Sequence, residues 1–85
     1  MKIITIKDCY ELRRKFLKYS ETAEQHEFPM LLYYHIHMNR TIKEYEEAEG
    51  ITNQSEARAM FRVILRIIGE DFSEYEEDSN EGNTL

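Results

Sequence analysis

The sequence predicts an all-α fold: a small three-helix bundle with a short extended N-terminal segment and a flexible acidic C-terminal tail. Three observations carry this. Apolar residues recur at spacings of three and four over three separate stretches, the mark of amphipathic helices. Each stretch is bounded by capping signals or by a helix breaker. Beyond Gly69 large apolar residues become scarce and acids take over. The expected organisation is a helical domain over residues 1–69, with helices at about 8–25, 29–49 and 53–68, and an acidic, largely disordered tail over 70–85.

Residues 2–6 alternate weakly and hold three isoleucines, so they read as a short extended segment or edge strand. Asp8 with Glu11 three residues later gives a capping pattern for the first helix. Cys9, Leu12, Phe16, Tyr19 and Ala23 then form one stripe, Tyr10 and Leu17 a smaller second patch, and Arg14, Lys15 and Lys18 the opposite face. Pro29, the only proline, ends that helix and suits the first position of the next, where its missing N–H costs nothing. On the second helix Met30, Leu31, Tyr34, Met38, Ile42, Tyr45 and Ala48 share a face, and Leu32 and Ile36 add a second apolar patch on its first half. Gly50 is the expected C-cap. Asn53 with Glu56 opens the third helix, which stops at Gly69. At about 100° per residue, Arg58, Arg62 and Arg66 occupy a narrow strip, and apolar residues fill an arc of roughly 200° on the rest. An arc that wide predicts either the hub of the domain or a homodimer interface on helix three. In the tail only Phe72, Tyr75 and Leu85 are large and apolar, too few to offset the entropy of ordering, so disorder is expected beyond about Glu77.

The chain has 85 residues, one domain at most. A domain this short buries only about 60% of the surface of its unfolded chain, so its core is marginal. Cys9 is the only cysteine, which excludes an intrachain disulfide. The longest stretch free of charged residues, Phe28 to Asn39, contains two histidines and cannot span a bilayer. The N-terminus is too short for a signal-peptide core, and a cytoplasmic location is expected.

The formal net charge of −6 conceals a banded distribution. Residues 1–69 carry all 11 bases against 10 acids, whereas residues 70–85 carry 7 acids and no base. Within the body, residues 1–18 are net +4, residues 19–57 net −6, and residues 58–69 hold three arginines and no acid. Solvated helix faces and a solubilising tail account for such bands without any partner. The tetrapeptide Glu-Tyr-Glu-Glu occurs at 44–47 and at 74–77, a coincidence to be expected in so acidic a chain.

Residue chemistry argues against an enzyme. His35 and His37 are two apart and point to different sides of a helix, whereas helical metal pairs need spacings of three or four, so no metal site and no cofactor is expected. Cys9 lies on the apolar stripe with Leu12 and Phe16, where a structural thiol is expected rather than a nucleophile. The three glycines are isolated, so no glycine-rich loop cradles a phosphate. Carboxylates are abundant, but a catalytic pair needs a cleft that perturbs them.

Two binding readings remain. In the first, carboxylates along a rigid helix and in the tail imitate a phosphate backbone and meet a basic surface of a nucleic-acid-handling protein. The acids are Glu44, Glu46 and Glu47 with Glu70, Asp71, Glu74, Glu76, Glu77 and Asp78, and Tyr45, Phe72 and Tyr75 supply desolvated anchors. In composition the chain resembles small acidic inhibitors made by phages and mobile elements. This non-enzymatic regulator or inhibitor is the expected function. The alternative is a small DNA-binding transcriptional regulator that uses Arg13, Arg14, Lys15 and Lys18 of the first helix with Arg58, Arg62 and Arg66 of the third. Helix, Gly50-Ile51-Thr52 turn and helix match a helix-turn-helix in outline, but Glu44, Glu46, Glu47 and Glu49 beside the supposed groove oppose it. Residues 50–58 also resemble the second helix of some ribbon-helix-helix antitoxins, with residues 2–6 as the strand, about 15 residues in all. Helix two has no counterpart in that fold.

Overall fold

Ile4 is buried to 1% exposure, and it explains where the first helix begins. In the computed structural model, which describes residues 2–76, the chain enters extended and forms α1 (Ile6–Glu21), α2 (Phe28–Glu47) and α3 (Gln54–Ile68), with 3-10 turns at Gln25–Glu27 and Ser73–Tyr75. The architecture is the three-helix bundle expected. Among the described residues there is no strand, because the extended segment pairs with a side chain instead of a backbone. The Gln54 amide donates to the Ile4 carbonyl at 2.8 Å and accepts from the Ile4 N–H at 3.1 Å. Both backbone groups of a buried residue are thereby satisfied without a sheet.

The cap of α1 is Thr5, not Asp8. The Thr5 hydroxyl accepts from the Asp8 N–H at 3.2 Å, and the Asp8 carboxylate accepts from the Thr5 N–H at 3.0 Å, a reciprocal capping box. Starting at Ile6 brings Cys9 into the first turn and lets Ile4 close the end of the core. α1 stops at Glu21 rather than about Gln25, since the Thr22 N–H and hydroxyl both turn back to the Tyr19 carbonyl. Glu27 then braces the link. Its carboxylate accepts from the Glu24 N–H at 3.0 Å and from the Tyr19 hydroxyl at 2.9 Å, which holds it below the usual carboxylate range.

α2 runs antiparallel to α1, as Tyr10–Glu46, Arg13–Asn39 and Ser20–His35 contacts record in sequence. Its C-terminus departs from expectation. Glu49, not Gly50, takes the left-handed conformation, with φ of 60°. The Gly50 N–H donates to the Tyr45 carbonyl and the Glu49 N–H to the Glu46 carbonyl, a Schellman ending one residue early. Tyr45 is the last core residue of the helix, so further turns would bury nothing. α3 has the boundaries its signals announce. The Asn53 side chain accepts from the Glu56 N–H at 3.1 Å, and Gly69 at φ 77° ends the helix with a second Schellman pair.

The core joins Ile4, Cys9, Leu12 and Phe16 to Leu31, Met38, Ile42 and Tyr45 of α2 and to Ala57, Met60, Phe61, Ile64 and Leu65 of α3. Phe16 and Phe61 are fully enclosed, each contributing about 1.5–3 kcal/mol of transfer free energy. α1 approaches both other helices closely and occupies the middle of the bundle. The wide apolar arc of α3 is therefore absorbed largely by its own chain. Val63 is its exposed large apolar residue, and Ile67 and Ile68 are half-buried.

Residues 70–76 form a strap that turns back at Gly69 and runs along α1 and α3. Lys15 pairs with Glu70 at 2.9 Å and Lys2 with Glu74 at 2.7 Å. Phe72 and Tyr75 pack against the core, with Tyr75 edge-on to Phe61 at 5.0 Å between ring centres. The tail thus joins the fold at least to Glu76. Glu77 and Asp78, and the disorder expected beyond Glu77, lie outside the described residues.

Candidate functional site

The strap takes several of the residues that the sequence offered to a partner. Glu70 and Glu74 are neutralised by Lys15 and Lys2. The Asp71 carboxylate accepts from the Ser73 hydroxyl at 2.6 Å and from the Ser73 N–H at 3.1 Å, both of which lower its pKa. Phe72 lies under the Arg62 guanidinium, 4.9 Å from ring centre to charge. Glu70, Asp71 and Glu74 of the strap, with Asp8 and Glu11, line a cleft of about 120 Å³ beside Lys15. No group of three His, Cys, Asp or Glu among the described residues is placed to hold a metal ion.

Tyr45 is not a surface anchor. It is 2% exposed, and its hydroxyl donates to Glu56 Oε1 at 3.1 Å with the Asn53 carbonyl at 3.4 Å. Burial is the main cause of its raised pKa, and the Glu56 hydrogen bond adds to it. Tyr75 turns inward as well, which leaves neither tyrosine of the repeated tetrapeptide free.

The basic residues are also dispersed. Arg58 is buried at 7% exposure, and its guanidinium donates to the Tyr75 carbonyl and, at 3.2 Å, to the Lys2 carbonyl. Arg14 pairs with Glu11 on its own helix, and Lys15 is taken by Glu70. Arg13 lies 5.5 Å over the Tyr10 ring and donates to Asn39 Oδ1 at 3.1 Å. Of the arginine strip only Arg62 and Arg66 reach solvent, beside Met30, Tyr34, Val63 and Ile67 in a groove of about 290 Å³ between α2 and α3. Lys18 is exposed on α1.

α2 also presents two surfaces of opposite character to solvent. Its C-terminal part carries Glu44, Glu46 and Glu47, with Glu49 just past its end, all exposed, and Arg40 and Lys43 come just before them. Glu46 accepts from the Tyr10 hydroxyl at 2.6 Å. Glu44, Glu47 and Glu49 have no ion-pair partner among the described residues. Glu76 is exposed at the end of the strap. The N-terminal half of α2 carries a different surface. Phe28, Met30, Leu32, Tyr33 and Ile36 are all exposed, and Leu17 of α1 is exposed with them. The sequence shows Leu32 and Ile36 as a second patch, but the periodicity alone does not say that the bundle leaves it uncovered.

His35 lies at the edge of that patch. Its ring stacks on Phe16 at 4.1 Å, with Nε2 2.9 Å from the Ser20 hydroxyl. That hydroxyl already donates to the Phe16 carbonyl at 2.8 Å, so Nε2 carries the proton and donates to Ser20. Burial lowers the His35 pKa.

No helix among the described residues is long and apolar enough to cross a membrane. No protein-family model matches the chain, and no curated protein or solved structure is significantly similar to it.

Proposed function

We propose that this chain is a non-enzymatic interaction protein, a small acidic regulator or inhibitor that docks the C-terminal part of α2 on a basic surface of a nucleic-acid-handling protein. The contrast between the carboxylates carries this reading. Glu70 and Glu74 are spent on lysines of the same chain, whereas Glu44 and Glu47 stand exposed at the end of a rigid helix, with Glu49 just beyond it, and make no ion pair among the described residues. Residues three apart on a helix are neighbours, about 5–6 Å between Cβ atoms. Glu44 and Glu47 therefore present two negative charges at a spacing that suits a surface built to follow phosphates. Such a field speeds encounter and makes binding sensitive to salt.

Affinity capture from native extract with the wild-type chain and with an E44Q/E47Q variant tests this. The expected result is retention of a nucleic-acid-handling protein by the wild type and its loss with the variant, at unchanged helical content. Retention of nucleic acid itself, abolished by R62A/R66A, would overturn the proposal in favour of a DNA-binding regulator.

A further inference from the structure

α1 packs closely on both α2 and α3, whereas α2 and α3 approach each other far less. A groove opens between these two. Its halves meet at Tyr34 and Val63, and it runs from Thr41 and Glu56 at one end to Met30 and Ile67 at the other. The rise from Glu56 to Ile67 is about 16 Å, roughly three turns of helix. Met60 lies at its base, and Met30 and Val63 are 40% and 37% exposed along it. The charged side chains that line it sit at its ends. Arg62 and Arg66 stand beside Met30 and Ile67, and Glu56 stands at the opposite end, all three exposed. Residues 28–39 of α2 and 57–69 of α3 contain no acid, and neither Arg62 nor Arg66 makes an ion pair among the described residues.

We infer that this groove takes an amphipathic helix of about three turns from a partner protein, its apolar stripe on Met30, Tyr34, Val63 and Ile67 and its carboxylates on Arg62 and Arg66. Charge complementarity selects this occupant. The two arginines call for acids at one end of the incoming helix, and Glu56 calls for a neutral or basic residue at the other. The apolar length between them accepts side chains spaced three and four apart, which one face of a helix supplies. A nucleic acid matches less well, because a polyanion following the groove would bring phosphates onto Glu56 and would leave the apolar length unfilled. Residues 77–85 of this chain offer three acids but a single large apolar residue, Leu85, too little to fill it. The inference does not rest on what Glu44 and Glu47 meet.

Fluorescence anisotropy on the full chain tests it, with circular dichroism as the control for folding. The probe is a labelled synthetic helical peptide of about fourteen residues, with leucines on one face, glutamates in its N-terminal half and lysines in its C-terminal half. The wild type is expected to bind it with a Kd below about 100 µM. Replacing the peptide's glutamates by glutamine is expected to weaken binding roughly tenfold, and R62Q/R66Q to make the two peptides equal, as a double-mutant cycle requires of a direct pairing. V63E is expected to abolish binding at unchanged helicity. Absence of saturable binding by the wild type overturns the proposal, as does a preference for the glutamate peptide that persists in R62Q/R66Q, or binding that survives V63E. A single-stranded oligonucleotide that binds more tightly than the peptide, with the difference lost in R62Q/R66Q, overturns it in favour of nucleic acid. A dimer of the protein alone in sedimentation velocity, lost in R62Q/R66Q, overturns it in favour of a second copy.

Discussion

Arg58 and Tyr75 are joined by a hydrogen bond from the guanidinium to the backbone carbonyl, and this bond fixes the strap to α3. The same guanidinium donates to the Lys2 carbonyl, so one buried side chain holds the extended N-terminus and the strap together. A hydrogen bond to a charged group is worth about 1.5–3 kcal/mol, and each carbonyl left bare costs further. R58A is expected to destabilise the fold by about 2–4 kcal/mol in a urea titration. It is also expected to release the Tyr75 and Glu76 amides, which donate to Phe72 and Ser73, to fast hydrogen exchange. A loss below about 0.5 kcal/mol, the range of an ordinary surface substitution, would remove Arg58 from this role.

Glu49 carries a left-handed backbone that a residue with a Cβ adopts at a cost of about 1–2 kcal/mol. E49G is expected to stabilise the protein by about 1 kcal/mol, somewhat less than the full cost because glycine also gains freedom in the unfolded chain. Thermal unfolding reads this as a rise in Tm, and a fall would show that the Glu49 side chain makes a contribution larger than the strain.

His35 makes stability depend on pH. Burial against Phe16 sets its folded pKa below the unfolded value of about 6.5, so the unfolded chain takes up the proton first. The stabilisation from the neutral ring is complete above that unfolded value and is lost as the pH falls from there through the folded pKa. Urea midpoints between pH 7.5 and 5.5 should therefore decline in the wild type, and the decline should be shallower in H35F, which keeps the stacked ring without the proton. These pH values bracket the unfolded pKa. Equal slopes would place the pH dependence elsewhere.

Cys9 is fully buried, and desolvation pushes its thiol up to about 11, with Asp8 adding to the effect. The thiolate is the reactive form, so native protein at neutral pH is expected to react with a thiol reagent only as fast as it opens. Labelling should accelerate in step with unfolding across a urea series. Rapid labelling of the native state would contradict the buried position.

The features legible in the sequence are those settled by neighbours along the chain. Asn53 with Glu56, and Gly69, mark α3 because a cap needs only residues within one turn. At the start of α1 two local patterns compete, Thr5 with Asp8 and Asp8 with Glu11, and the burial of Ile4 decides between them. That burial depends on Gln54, fifty residues away, which no local pattern reports. The arginine strip misleads for the same reason. Helical spacing puts Arg58, Arg62 and Arg66 in line, yet the strap covers the first and Phe72 lies under the second. Tyr45 was legible: it lies on the stripe with Met38 and Ile42, and its place in the core excludes it as an exposed anchor. The exposed Leu32, Tyr33 and Ile36 were half legible, since an apolar patch shows in the sequence but its lack of cover depends on how the three helices pack.

The proposed contact of the α2 carboxylates with a basic protein surface is tested by capture yield from native extract as a function of salt, comparing the wild type, E44Q/E47Q and a chain truncated after Glu76, which keeps the strap intact. The expected result is wild-type capture that falls steeply from low salt to about 0.5 M, where charges are screened within a few ångströms, and almost no capture by E44Q/E47Q at any salt. Loss of capture on truncation alone would move the contact to residues 77–85. Equal, salt-independent capture by the wild type and E44Q/E47Q would contradict the claim.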